Sequence, residues 1–111
     1  MADCIFCKIA SGEIQGTVVY QDEHVTAFRD LNPQAPTHVL VIPNRHVDSI
    51  VQLDDAELSF RLLEAARTVA LQEGLGSGWR LVTNVGPDAG QTVFHLHWHV
   101  LGGRHMAWPP G

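Results

Sequence analysis

The sequence predicts an α+β domain in which an antiparallel sheet of about five strands carries one long helix on one face, with a short helix at the N-terminus. Three observations carry this prediction. Five β-like runs outnumber the helical segments, without the regular strand–helix–strand alternation that a parallel sheet needs. One segment, from Asp54 to Gly74, keeps an apolar helical period. The final run, Val93 to Leu101, alternates between two kinds of residue with period two, as a strand buried on one face does.

Taken in order, Cys4-Ile5-Phe6-Cys7-Lys8-Ile9-Ala10 reads as the short helix, ended by Ser11-Gly12. Thr17-Val18-Val19-Tyr20 is a short strand. After the polar turn Gln21-Asp22-Glu23, the run His24 to Asp30 alternates apolar and polar residues and forms a second. Asn32-Pro33-Gln34-Ala35-Pro36 breaks regular structure, because its prolines lack N–H donors and restrict their predecessors. Thr37 to Ile42 is the most β-branched stretch and the expected central strand, stopped by Pro43. Asp54 is the expected cap of the long helix, with Glu57 in a capping-box relation. Leu58, Leu62, Ala65 or Ala66, and Val69 then form its apolar stripe up to Gly74, a C′ residue. Gly76-Ser77-Gly78 is a loop, Trp79 to Asn84 a strand, and Gly86 to Gln91 the loop that leads into the last strand. The tail from Gly102 to Gly111 is too rich in Pro and Gly for regular structure. No repeat, linker or low-complexity run divides the chain, so residues 1–111 are expected to form one domain.

Composition narrows the function. A net charge of −5 without any Lys/Arg cluster argues against a nucleic-acid-coating protein. Any phosphate must be held by histidines, neutral side chains and backbone N–H groups, which favours a single nucleotide or small ester. No apolar run approaches the roughly 20 residues that span a bilayer. Met1-Ala2-Asp3-Cys4 has no basic region followed by an apolar one, so no secretory signal is expected and the cytoplasm is the expected address. With 45% apolar and only 17% charged residues, the chain has more apolar surface than a small monomer easily hides, and a homodimer is expected.

The chemistry concentrates in His95-Leu96-His97-Trp98-His99. Three histidines at i, i+2 and i+4 of a strand share one face, with Leu96, Trp98 and Val100 turned to the core. Crowding of like groups is expected to lower their pKa values. Three readings fit the row: structural histidines, a metal site, or phosphate chemistry. The last is favoured, because a neutral imidazole is a nucleophile near pH 7 and its neighbour can donate to a phosphate oxygen. The Gln91 amide, the Thr92 hydroxyl and N–H groups near Gly90 add neutral donors, and Asn84 reaches the same edge if its strand pairs with the last one. Such a set could stabilise an in-line phosphoryl transition state without a magnesium ion. Cys4-x-x-Cys7, absent export, reads as metal ligands or reduced thiols.

The run His95 to Leu101 fits the His-φ-His-φ-His-φ-φ signature (φ apolar) of the histidine triad (HIT) superfamily, and the resemblance extends over essentially the whole chain. Cys4 to Ile9 resembles the family's opening helix, Leu31 to Pro43 its central block, and Gly90 to Val93 its lead-in to the triad. The ending Trp108-Pro109-Pro110-Gly111 is similar to the Hint, or histidine triad nucleotide-binding, branch. The resemblance implies a purine nucleoside phosphoramidase. In it His97 attacks the α-phosphorus and forms a nucleotidyl-histidine, and His99 contacts a phosphate oxygen. His38 lies near the leaving group, and Asn84 and Thr92 contact the phosphate. Thr92 departs from the Ser of the vertebrate-type pattern; its extra methyl narrows the space around the leaving group. Asp30 would accept the ribose hydroxyls, and Ile5, Phe6, Ile9, Phe28, Leu31 and Leu40 would line the purine pocket. The resemblance also implies a structural zinc held by Cys4, Cys7, His46 and His95, which makes His95 an anchor. His24 and His105 are expected to be solvated. Two alternatives stand beside this reading. A dinucleoside polyphosphate hydrolase is suggested by the loop Gly86 to Val93, though that branch has Gln at the position of Asn84 and lacks the Trp-Pro-Pro-Gly ending. The other is a nucleotide- or zinc-binding adaptor with incidental catalysis.

Overall fold

A computed structural model of the chain describes residues 3–111; Met1 and Ala2, read above for a secretory signal, lie outside the described residues. Helix α1 spans Ile5–Ser11 and α2 spans Ala56–Gln72. The strands are β1 Val18–Gln21, β2 Val25–Arg29, β3 Thr37–Pro43, β4 Trp79–Val82 and β5 Trp98–Gly102, with single 3₁₀ turns at Ile50–Gln52 and Pro87–Ala89. The five strands form one antiparallel sheet in the order β1-β2-β3-β5-β4, so the expected α+β architecture is the observed one.

The two helices cover opposite faces of the sheet. On the α2 side Leu58, Leu62, Ala65, Ala66, Val69 and Ala70 pack against Val25, Ala27, Val39, Val41, Leu96 and Val100. On the α1 side Phe6 and Ile9 pack against Phe28, Leu40 and Ile42. Strands β2 and β3 are therefore buried on both faces, and the polar member of the β2 alternation, Thr26, is fully buried as well. Its hydroxyl donates to Asn44 Oδ1 at 2.6 Å and accepts from Gln21 Nε2 at 2.8 Å, which satisfies it inside.

Helix ends follow local chemistry, with one shift from expectation. The cap of α2 is Asp55, whose Oδ1 accepts from Leu58 N at 3.0 Å, rather than Asp54. Starting one residue later puts Leu58 at the third helical position, so Glu57 cannot close a capping box. It acts instead as an acidic group in the first turn, where the helix dipole favours it. The C-terminus is a Schellman motif: Gly74 adopts φ 73°, Gly74 N donates to Leu71 O, and Leu75 N donates to Ala70 O.

The last strand begins at Trp98, five residues after the expected start at Val93, and β4 ends at Val82 rather than Asn84. The ladder from β3 stops at the Val41–Trp98 pair, and Pro43 beyond it has no N–H to offer. Residues 95–97 send their hydrogen bonds elsewhere. Leu96 N donates to Val47 O at 2.6 Å, and the Thr83 hydroxyl donates to His97 O at 2.8 Å. The segment still alternates: Leu96, Trp98 and Val100 join the α2 core while the histidines face the other way.

Candidate functional site

On the α1 side, the sheet, α1 and the loop before β5 enclose a cavity of about 370 Å³. It brings together all seven residues expected to bind a nucleoside: Ile5, Phe6, Ile9, Phe28, Asp30, Leu31 and Leu40. His97, His99, Asn84 and Thr92 line the same space. Its lining thus combines hydrocarbon with imidazole, amide and hydroxyl groups. Leu31 sits at the rim, 96% exposed, whereas Phe6, Phe28 and Leu40 form the floor. The Phe6 ring meets His97 edge-on, with centroids 5.1 Å apart, so the short helix fixes the ring plane of the central histidine.

Hydrogen-bond partners assign the protons of His97 and His99. His97 Nδ1 lies 2.7 Å from His95 O, and a carbonyl only accepts; Nδ1 therefore carries the proton and Nε2 keeps its lone pair. Gln34 N donates to His38 Nδ1 at 3.0 Å, so that nitrogen is unprotonated and His38 Nε2 bears the proton. His38 Nε2 in turn lies 2.9 Å from His99 Nδ1, which makes His99 Nδ1 the acceptor and His99 Nε2 the N–H. That Nε2 is buried without a hydrogen-bond partner among the described residues. A buried orphan donor on a cavity wall is a place for an acceptor oxygen. Burial, more than repulsion from His97 and His38, pushes the His99 pKa down to about 4 and lowers that of His38, so both are neutral near pH 7. Crowding is the second cause for His99, not the first as the sequence suggested.

Two placements differ from expectation. His38 is not on the cavity wall; it is buried behind His99, with Asp30 Oδ2 3.4 Å from its Nε2. It meets the cavity only through His99, because β3 and β5 pair side by side and place the two rings together. Gln91 is not a free donor. Its amide donates to Asp48 O and Val93 O, and its Oε1 accepts from Gly86 N, so it pins the loop that carries Thr92. The glycines at 86 and 90, which mark a tight turn just before Gln91, are the sequence signal of that task. Asp30 Oδ1 accepts from Asn32 N at 2.8 Å, which orients the carboxylate at the cavity edge. His24 pairs with Glu23 at 3.3 Å, and His105 is exposed, as expected.

A second cluster lies beside the first. Cys4, Cys7, His46 and His95 place one donor atom each within 4.8 Å of one another. Cys4 Sγ is 3.3 Å from His95 Nδ1, and Cys7 Sγ is 3.4 Å from His46 Nδ1 and 3.5 Å from His95 Nδ1. Zinc bonds of about 2.3 Å to sulfur and 2.0–2.1 Å to nitrogen imply a tetrahedral S···N edge of roughly 3.6 Å, so these spacings fit. The outer bonds fit too. His46 Nε2 faces Asp48 Oδ1 at 2.7 Å and His95 Nε2 faces Pro43 O at 2.9 Å, leaving both Nδ1 lone pairs for a metal. Burial pushes His95 down to about 4. The two clusters share a strand segment: the carbonyl of His95 is the one that holds His97 Nδ1–H.

The family model described as HIT domain matches residues 11–106. The 14 kDa zinc-binding protein of Zea mays is 54% identical over 112 residues, covering 96% of this chain and 87% of that protein. The adenylylsulfatase HINT1 of Arabidopsis thaliana is 50% identical over 112 residues, covering 96% of this chain and 76% of that protein. A crystal structure of a HIT family hydrolase from Legionella pneumophila Philadelphia 1 superposes with a TM-score of 0.95 at 52% identity, covering 98% of this chain and 100% of that one.

Proposed function

Because the chain belongs to the HIT domain family, we propose that it is a purine nucleotide-binding hydrolase that cleaves the P–N bond of nucleoside 5′-phosphoramidates. The observation that carries this reading is the pairing of His97 with His99 in the wall of a largely apolar cavity. His97 presents a lone pair at Nε2, and His99 a buried N–H without a partner among the described residues. His97 Nε2 attacks the α-phosphorus while His99 Nε2–H, Asn84 and Thr92 hold phosphoryl oxygens. The P–N bond breaks, the departing amine takes a proton from water, and a nucleotidyl-histidine remains. Water then cleaves the phosphorus–histidine bond, releasing nucleoside monophosphate and restoring His97. Asp30 accepts the ribose hydroxyls, and the apolar lining takes the purine. Neutral donors serve the phosphate throughout, so no magnesium requirement is expected.

A structural zinc at Cys4, Cys7, His46 and His95 belongs to the reading, supported by the spacing of the four donors and by relatives named zinc-binding proteins. When bound, zinc would tie α1 to the segment before β5, away from the reacting atoms. The protein acts in the cytoplasm as a homodimer joined through α2 and the edge strand β4. Support for the dimer comes from Phe60, Leu63 and Leu71 on α2 and Trp79 on β4, all exposed. No helix among the described residues is long and apolar enough to cross a membrane.

The Arabidopsis relative named adenylylsulfatase favours a second leaving group, sulfate, at the same phosphorus. One assay compares these and the dinucleotide alternative: adenosine 5′-phosphoramidate, adenylyl sulfate and a diadenosine polyphosphate are offered to the wild type and to His97→Ala. Release of AMP is expected to be fastest from the phosphoramidate and near absent from the dinucleotide, with the variant nearly inactive on all three. Retention of most activity by His97→Ala would remove the nucleophile assignment. Light scattering should give twice the monomer mass, and a monomer at all concentrations would remove the dimer.

A further inference from the structure

The loop Pro33-Gln34-Ala35-Pro36 has no regular secondary structure, yet it is fastened on both sides of Gln34. Gln34 N donates to His38 Nδ1 at 3.0 Å, and Gln34 O accepts from Arg104 Nη2 at 3.1 Å. The chain turns into Arg104 through Gly103 at φ 90°, where a Cβ would lie 2.9 Å from Pro36 Cβ; the tail and the loop are in close contact there.

We propose that this loop, clamped by Arg104 and the Gly103 turn, is a positioning device that makes His99 present a proton, and not a lone pair, to the cavity. A backbone N–H cannot accept, so while Gln34 N faces His38 Nδ1 that nitrogen must keep its lone pair. His38 then carries its proton on Nε2, 2.9 Å from His99 Nδ1, and His99 is left with its proton on Nε2. The opposite arrangement would set two N–H groups against each other at Gln34. Without the lock only the longer contact of His38 Nε2 with Asp30 Oδ2, 3.4 Å, would oppose exchange of the His38–His99 tautomers as a pair, and in the exchanged pair His99 Nε2 is an acceptor that repels a phosphoryl oxygen. The lock thus fixes the polarity of the wall next to His97, whose own lone pair is set independently by His95 O. Gln34 and Arg104 touch no ligand; they are positioning residues that act through His38. The catalytic consequence rests on the reading of His99 as a phosphate donor, whereas the tautomers themselves do not.

The test is a long-range proton–nitrogen correlation spectrum of the full chain labelled with ¹⁵N-histidine, near pH 7. The expected pattern is an unprotonated Nδ1 and protonated Nε2 on both His38 and His99. The Nδ1–H form of either ring in the wild type would overturn the proposal, whatever substrate the protein acts on. Gln34→Pro removes the N–H and keeps the carbonyl for Arg104; His38 and His99 should then populate the reversed pair. With a turned-over substrate, kcat should fall about 100-fold while KM changes by less than about twofold. Gln34→Ala keeps the N–H and should retain the wild-type nitrogen pattern. Should Gln34→Pro fail to fold, Arg104→Ala decides: mixed tautomers at His38, with part of the loss rescued by Arg104→Lys, support the clamp. A wild-type pattern and wild-type kcat in Arg104→Ala would overturn it.

Discussion

Leu96 and His97 are chain neighbours with opposite surroundings, and the contrast shows how one residue's setting decides its chemistry. Leu96 is 1% exposed in the α2 core, while His97 looks across the sheet into a cavity whose wall it shares with His99. Burial holds His99 and His38 neutral, His99 with a pKa of about 4 against an ordinary value near 6.5. A neutral His38 is required by the Gln34 N–H as well, since the cation would carry a proton on both nitrogens. The sign of the stability effect follows from linkage. Between about pH 6.5 and 4 the unfolded chain binds protons that the folded rings refuse, so stability is full above that window and falls as the pH drops through it. The urea midpoint should therefore be lower at pH 5 than at pH 7. His99→Gln should make the dependence shallower, with His95 and His38 supplying the remainder; an equally steep one in that variant would move its origin to other groups.

At the scale of elements, the cap of α2 separates what patterning reveals from what it does not. Asp54 and Asp55 are adjacent acids before the same apolar stripe, and only Asp55 reaches Leu58 N. Asp55→Ala should lower the thermal midpoint by a few degrees, and Asp54→Ala should leave it nearly unchanged; equal effects would deny the cap. Apolar period exposed α2 and its stripe because Leu58, Leu62 and Val69 must face one way whatever the boundary. It could not choose the boundary, which turns on a single hydrogen bond. The last strand shows the same division. The alternation from His95 to Val100 told which side faces the core, and the structure keeps that sidedness. The ladder's end depends on Pro43 and Val47, more than 40 positions earlier in the chain. The cavity's members were legible through resemblance, residue by residue, and they do meet. The place of His38 behind His99, and the task of Gln91, arise from strand pairing and loop contacts that local sequence does not encode.

Across the whole molecule, the four donors of the cysteine–histidine cluster come from three separate stretches: Cys4 and Cys7 at α1, His46 after β3, and His95 before β5. A metal held there would close loops of 39 and 91 residues onto one point. Because the site exists only when the chain is folded, its binding free energy adds to folding stability as the ligand's excess over Kd. At zinc 1,000-fold above Kd that is about 4 kcal/mol, which in a domain of this size shifts the thermal midpoint by roughly 15–30 °C. Purified full-length protein should contain about one zinc per chain, as the four-donor site predicts. A strong chelator should lower its midpoint by roughly 10 °C or more. Cys4→Ser/Cys7→Ser should lack zinc, melt where the chelated wild type melts, and ignore the chelator. The effect should also reach the reaction, because the carbonyl of His95 orients His97. Loss of metal should lower kcat well below the midpoint temperature, where the chain is still folded. Unchanged metal content in the double variant, or a wild-type midpoint indifferent to the chelator, would leave the two cysteines as small half-buried residues beside two histidines.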